Sequence, residues 1–150
     1  NVELAVLETT RELDIAFVAF SPVGRGGLCG ELVEPAGLPE RDFRRTMPRF
    51  MAGNWPANRA LVDKLVALAA AAGITAAQLS LAWALSRAEH VHVIPGTTNL
   101  GHLEDNYRSA DIQVGQDLLE RAGALINEET VSGHRYPEAM RVLAYTEEYA

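Results

Sequence analysis

The residues best placed to do chemistry sit where a short apolar run breaks. Val93 and Ile94 give way at Pro95-Gly96 to Thr97, Thr98 and Asn99, and an amphipathic pattern begins at Leu100 and carries His102, Glu104, Asp105 and Asn106. A strand that turns straight into a helix leaves backbone N–H groups without partners at the positive end of the helix dipole. Such a place holds an anion, and the side chains of Thr97, Thr98, Asn99 and His102 can donate or accept around it. Phosphate is therefore the first ligand to consider. The plainer reading is that Thr97 to Asn99 only cap the helix, and capping and binding are compatible.

A second segment has related chemistry. Ile15 to Phe20 is a continuous apolar run, and Ser21-Pro22-Val23-Gly24-Arg25-Gly26-Gly27-Leu28 follows it. Gly24, Gly26 and Gly27 let the backbone approach a pyrophosphate closely, and Arg25 adds a charged donor suited to phosphate oxygens. The alternative is a flexible glycine loop with a solvated arginine. The spacing departs from the dinucleotide fingerprint of doubly wound folds. Gly24, Gly26 and Gly30 read G-x-G-x-x-x-G, one residue too long, and no acidic residue stands at a strand end about 20 positions on.

Other chemistry-bearing side chains read more plainly. His90 and His92 share a strand face, yet no Cys, Asp or further His stands nearby to complete a metal shell, so they are expected to be satisfied by neighbours. Cys29 adjoins glycines without a basic partner, which argues against a nucleophile. Trp55 and Trp83 fall at helical positions or helix starts and read as core.

Taken together, the two segments resemble the aldo-keto reductases, whose last barrel strand ends in Ile-Pro-Gly-Thr before a helix with Leu-Glu-x-Asn, and whose preceding strand leads into Ser-Pro-Leu-Gly-x-Gly. Arg135-Tyr136-Pro137-Glu138 resembles the family's C-terminal segment. The resemblance covers essentially all 150 residues but only the family's C-terminal half. It implies an NADP(H)-dependent oxidoreductase acting on an aldehyde or ketone, with this chain supplying the cofactor-binding half. Ser21, Pro22, Val23, Gly24, Arg25 and Gly26 would lie over the cofactor diphosphate. Gly96, Thr97 and Thr98 would meet the 2′-phosphate of NADPH, with His102 beside them and Asp105 and Asn106 near the adenine. Family members often place Arg, Lys or Gln where His102 stands, so less fixed positive charge is available here for a 2′-phosphate. The family's catalytic Tyr, Lys, Asp and His come from early strands, and no residue of this chain, Tyr136 included, matches them. Two other readings stand beside this one: a truncated, non-catalytic remnant that binds a nucleotide or only assembles with a partner, and an unrelated small α/β domain.

The elements that must position these residues follow from pattern. Residues 3–13 read as the end of a helix, and residues 15–20 as a parallel strand covered on both faces. Gly24 to Trp55 is long for a connection and reads as a functional or mobile loop. Pro56 is expected to start a helix with Leu61, Leu65, Leu68 and Ala72 on one face and Gly73 at its end. Thr75-Ala76-Ala77-Gln78 matches a capping box ahead of Leu79, Trp83 and Leu85. A strand over 90–94, helices over 100–110 and 117–126, and a polar tail complete the reading. This predicts an α/β fold, the C-terminal portion of a (β/α)8 TIM barrel with two parallel strands and about five helices, in a single partial domain over 1–150. Two strands cannot close a barrel, so an N-terminal half or a second chain is expected to cover them. The start at Asn1, in the midst of an apolar pattern, fits a piece of something longer.

Bulk properties exclude some partners. The net charge of −7, with Lys and Arg scattered, gives no footprint for nucleic acid or an anionic membrane. No apolar stretch approaches the roughly 18 residues of a spanning helix, and no basic-then-apolar signal opens the chain. One cysteine excludes an internal disulfide and fits a reducing, cytoplasmic setting.

Overall fold

The computed structural model describes residues 2–32 and 34–144. Its elements are α1 (Val6–Glu12), β1 (Phe17–Phe20), α2 (Trp55–Ala71), α3 (Ala76–Leu85), β2 (Val91–Ile94), α4 (Leu100–Arg108), α5 (Gln116–Leu125) and α6 (Glu138–Ala144). The strands pair in parallel, from Phe17 opposite Val91 to Phe20 opposite Ile94. An α/β fold with two parallel strands is thus present, with six α-helices among the described residues instead of about five. The addition is α6, in the polar tail. The regular elements begin and end within three residues of the expected limits, and the ends of β1 and β2 and the start of α4 coincide with them.

Local signals explain most of the helix ends. Trp55, not Pro56, opens α2, with the proline inside the first turn where its missing N–H costs nothing. Gly73 follows the helix at φ +74°, the left-handed geometry of a helix stop. Thr75 caps α3 with the full reciprocal box: its hydroxyl accepts from the Gln78 N–H at 3.1 Å, and the Gln78 side chain accepts from the Thr75 N–H at 3.0 Å.

The core lies where α2, α3 and α5 meet. Leu65, Ala69, Ala76, Leu79 and Ala122 are buried there, with Leu28, Trp83 and Ile126 packed against them. Leu79 and Leu81 are fully buried, each contributing about 1.5–3 kcal/mol through removal from water. The buried stripe of α2 runs through Trp55, Asn58, Val62, Leu65 and Ala69. Ala72, expected on that stripe, is exposed instead, since the helix is already ending there. A second cluster joins Met47, Phe50 and Trp55, with the last two rings stacked at 5.6 Å.

The segment between β1 and α2 is not structureless. It folds as four short 3-10 turns, over Gly24–Cys29, Pro35–Gly37, Phe43–Thr46 and Pro48–Phe50. Buried Asn58 ties this segment to the chain beyond α5, its amide donating to the Arg49 and Ser132 carbonyls at 2.9 and 2.8 Å.

Cover on both faces of β1 is not what the structure shows. Burial alternates along the strand, with Val18 and Phe20 about half exposed at 52% and 54% and Ile94 of β2 at 55%. In this register Val18, Phe20, His92 and Ile94 share the open face, while Phe17, Ala19, Val91 and Val93 share the other. The described chain provides helices for only one side of its sheet. No helix among the described residues is long and apolar enough to cross a membrane.

Candidate functional site

Because β1 and β2 are parallel and in register, Phe20 and Ile94 end side by side. Ser21 and Pro95 then leave the same edge of the sheet, which is what brings the two sequence motifs together. Ser21 sits at φ +55° and Arg25 at φ +60°, left-handed conformations that cost a side-chain-bearing residue about 1–3 kcal/mol each. Gly26 sits at φ +82°, a left-handed conformation strained for any residue with a side chain.

The first loop spends part of its own donor capacity. The N–H groups of Gly24 and Gly26 bond the Ser21 and Val23 carbonyls at 3.0 and 3.1 Å, and Leu28 also bonds Val23 at 3.2 Å. The charged donor that remains is Arg25. Its guanidinium stacks over Tyr136 at 5.1 Å and Phe43 at 5.7 Å and donates to the Arg135 carbonyl at 3.3 Å. Arg44 braces the loop from the side, forking onto the Asp42 carboxylate and donating to the Arg25 carbonyl at 3.3 Å. Those bonds from Arg44 hold the Asp42 carboxyl below its ordinary range.

At the second motif, Gly96, Thr97 and Thr98 are exposed. Asn99 is the helix cap: its side chain accepts from the His102 N–H at 3.1 Å, and its own N–H donates to the Thr97 hydroxyl at 3.1 Å. The first-turn N–H groups of Leu100 and Gly101 have no intrahelical acceptor, so they remain available to an anion. His102 lies 3.4 Å from Glu31, on the chain just after the first loop, so one contact links the two motifs.

Asp105 has a local role. One carboxylate oxygen accepts from the Gln78 amide at 2.6 Å and the other from the Thr75 hydroxyl at 2.9 Å, which extends the α3 capping box onto α4. Asn106, one residue on, is half-buried. Cys29 is also half-buried, and burial, with Glu31 and Asp105 adding to it, pushes its thiol up from the ordinary value. That agrees with the expected lack of nucleophilic character. His90 is satisfied by Thr10, its Nε2 3.0 Å from the hydroxyl, and no metal-ligating group of three forms among the described residues.

Sequence reasoning missed Arg49 altogether. It is half-buried, its Nε donates to the Gly133 carbonyl at 3.3 Å, and together with Arg25 and Arg135 it lines a cavity of about 320 Å3 beside Ser21. No local pattern marks it, since its neighbours in space lie 24 and 86 positions away in the chain.

The resemblance seen in the motifs is matched over the chain. The aldo/keto reductase family profile matches residues 1–126. Aldo-keto reductase yakc of Schizosaccharomyces pombe, whose name designates NADP(+), is 36% identical over 135 residues, covering 90% of this chain and 40% of that protein. Aldo-keto reductase str7 of Strobilurus tenacellus is 37% identical over 133 residues, again covering 40% of its length. The chain thus spans well under half of the curated relatives it matches. With a family profile over most of its residues and relatives above one-third identity, the chain belongs to the aldo/keto reductase family.

Proposed function

We propose that this chain is the C-terminal, cofactor-binding portion of a (β/α)8 barrel in an NADP(H)-dependent reductase of aldehydes or ketones. The observation that carries the reading is the shared sheet edge. Phe20 opposite Ile94 places a strained glycine-arginine loop and a helix N-terminus next to each other, with His102 and Glu31 joining them. The residues present suit a dinucleotide. Arg25 offers a guanidinium near the loop of Ser21 to Gly26, and the α4 start offers the N–H groups of Leu100 and Gly101 beside the Thr97 and Thr98 hydroxyls. His102 would then flank the 2′-phosphate, and Asp105 and Asn106 would border the adenine.

When bound, the nicotinamide supplies the hydride, and the protein supplies position and a proton donor. The described residues do the positioning: the left-handed backbone at Ser21 and Arg25 fixes the loop, and Asn99 fixes the helix start. The proton donor belongs, in this reading, to strands outside these residues, and those strands cover Val18, Phe20, His92 and Ile94. The single Cys29 suits a reducing, cytoplasmic setting.

The test is oxidation of NADPH by the intact protein, followed by absorbance with an aldehyde panel, alongside its mass under denaturing conditions. Aldehyde-dependent oxidation by a polypeptide well above 16.3 kDa is expected. NADPH binding without turnover would instead favour a remnant that binds its nucleotide only.

A further inference from the structure

Arg25, Arg49 and Arg135 all line the same cavity, and among the described residues none of them forms an ion pair with a carboxylate. They are gathered by other means. Arg25 and Arg135 both stack on the Tyr136 ring, at 5.1 and 5.6 Å, and Arg135 also covers Phe20 at 4.6 Å. Backbone carbonyls of Arg135 and Gly133 hold Arg25 and Arg49, each at 3.3 Å. Assembling like charges this way is unfavourable unless something answers them. Arg49 records that cost, since burial first, and then the charges of Arg135 and Arg25, pull its guanidinium below the ordinary value.

The remaining wall is mostly apolar, from Phe50, Trp55, Leu65 and Leu79. Trp55, only 3% exposed, contributes a second, independent sign of a ligand. Among the described residues its indole N–H is the one buried side-chain polar atom without a partner. Guanidinium and indole groups donate and never accept. Three guanidinium charges without a carboxylate partner and one unanswered indole N–H, above an apolar floor, are matched by a ligand that is all acceptor at one end and hydrocarbon at the other.

We propose that this cavity binds an amphipathic organic anion, its carboxylate or phosphate head held by Arg25, Arg49 and Arg135 and its hydrocarbon body seated against Phe50 and Trp55. The occupant is an acidic carbonyl substrate; the diphosphate of the cofactor proposed above, whose neighbourhood shares Arg25, is the alternative the test excludes. The inference stands on the cavity alone, so a failure of NADPH to bind leaves it intact.

The test is calorimetric titration of the intact protein with phenylacetate and with its neutral isostere phenylacetamide, paired with the NMR indole N–H resonance of Trp55. Phenylacetate is expected to bind saturably and move that resonance, with phenylacetamide about tenfold or more weaker. Arg49→Gln and the more exposed Arg135→Gln should each weaken phenylacetate by about tenfold and leave the amide unchanged. Equal binding of acid and amide, or unchanged acid binding in Arg135→Gln with its fold intact, overturns the proposal. Displacement of phenylacetate by NADPH returns the three arginines to the cofactor's diphosphate and overturns the proposal. Simultaneous binding of phenylacetate and NADPH supports it and assigns the head group to a substrate acid.

Discussion

Asp105→Ala should loosen the joint between α3 and α4. The carboxylate accepts two hydrogen bonds, from the Gln78 amide at 2.6 Å and the Thr75 hydroxyl at 2.9 Å. Bonds to a charged acceptor are worth about 1.5–3 kcal/mol when well buried. Gln78 is only 7% exposed, so its bond counts for most of that, whereas the Thr75 bond faces solvent and counts for less. The expected loss is about 2 kcal/mol, a drop in Tm of about 4–8 °C for a chain of this size. Asp105→Asn keeps the shape and one acceptor, and should cost about half as much. Thermal unfolding followed by circular dichroism, at fixed protein concentration, measures both. An unchanged Tm for the alanine variant would refute the structural tie, and lost NADPH affinity at unchanged Tm would assign Asp105 wholly to ligand binding.

Further outcomes follow from single positions. Gly30 sits at φ +81° with Val66 2.5 Å from where a Cβ would stand, so Gly30→Ala should cost about 2–4 kcal/mol in urea unfolding, partly restored by Val66→Ala. Alkylation of Cys29 should accelerate at a pH above that of an ordinary thiol, because burial and the Glu31 and Asp105 carboxylates favour the neutral form; a midpoint at or below the ordinary value contradicts this. Bonding to Arg44 lowers the folded-state pKa of Asp42 below its unfolded value. Its contribution is complete at neutral pH and lost as pH falls through the folded value, so protease resistance of the segment from Gly24 to Trp55 should fall in acid, and Asp42→Asn should remove that pH dependence.

Legibility in the sequence followed the range of the interactions. The capping box at Thr75 and Gln78 and the stop at Gly73 depend on contacts three or four residues apart, and both stand where the pattern put them. The uninterrupted apolar run of β1 implies a strand covered on both faces, and the half-exposed Val18 and Phe20 depart from that because the described helices lie on only one side of the sheet. Periodicity misplaced Ala72 because a helical wheel takes no account of where the helix ends. The cavity was not legible. Arg25 meets the Arg135 carbonyl across 110 positions and Asn58 meets Ser132 across 74, distances at which no local spacing carries a signal. That each site loop follows the end of a strand is readable from the sequence; the left-handed backbone at Ser21 and Arg25 and the Glu31 to His102 contact, which depends on the strand register, are not.

Calorimetric titration of the intact protein with NADPH decides whether the two loops at the sheet edge hold the cofactor. Saturable binding that 2′,5′-ADP competes away is expected, weakened about tenfold or more by Thr97→Ala through loss of a hydroxyl on a charged phosphate, and restored by Thr97→Ser. An absence of saturable binding, or equal affinity in Thr97→Ala and Arg25→Gln, would contradict it.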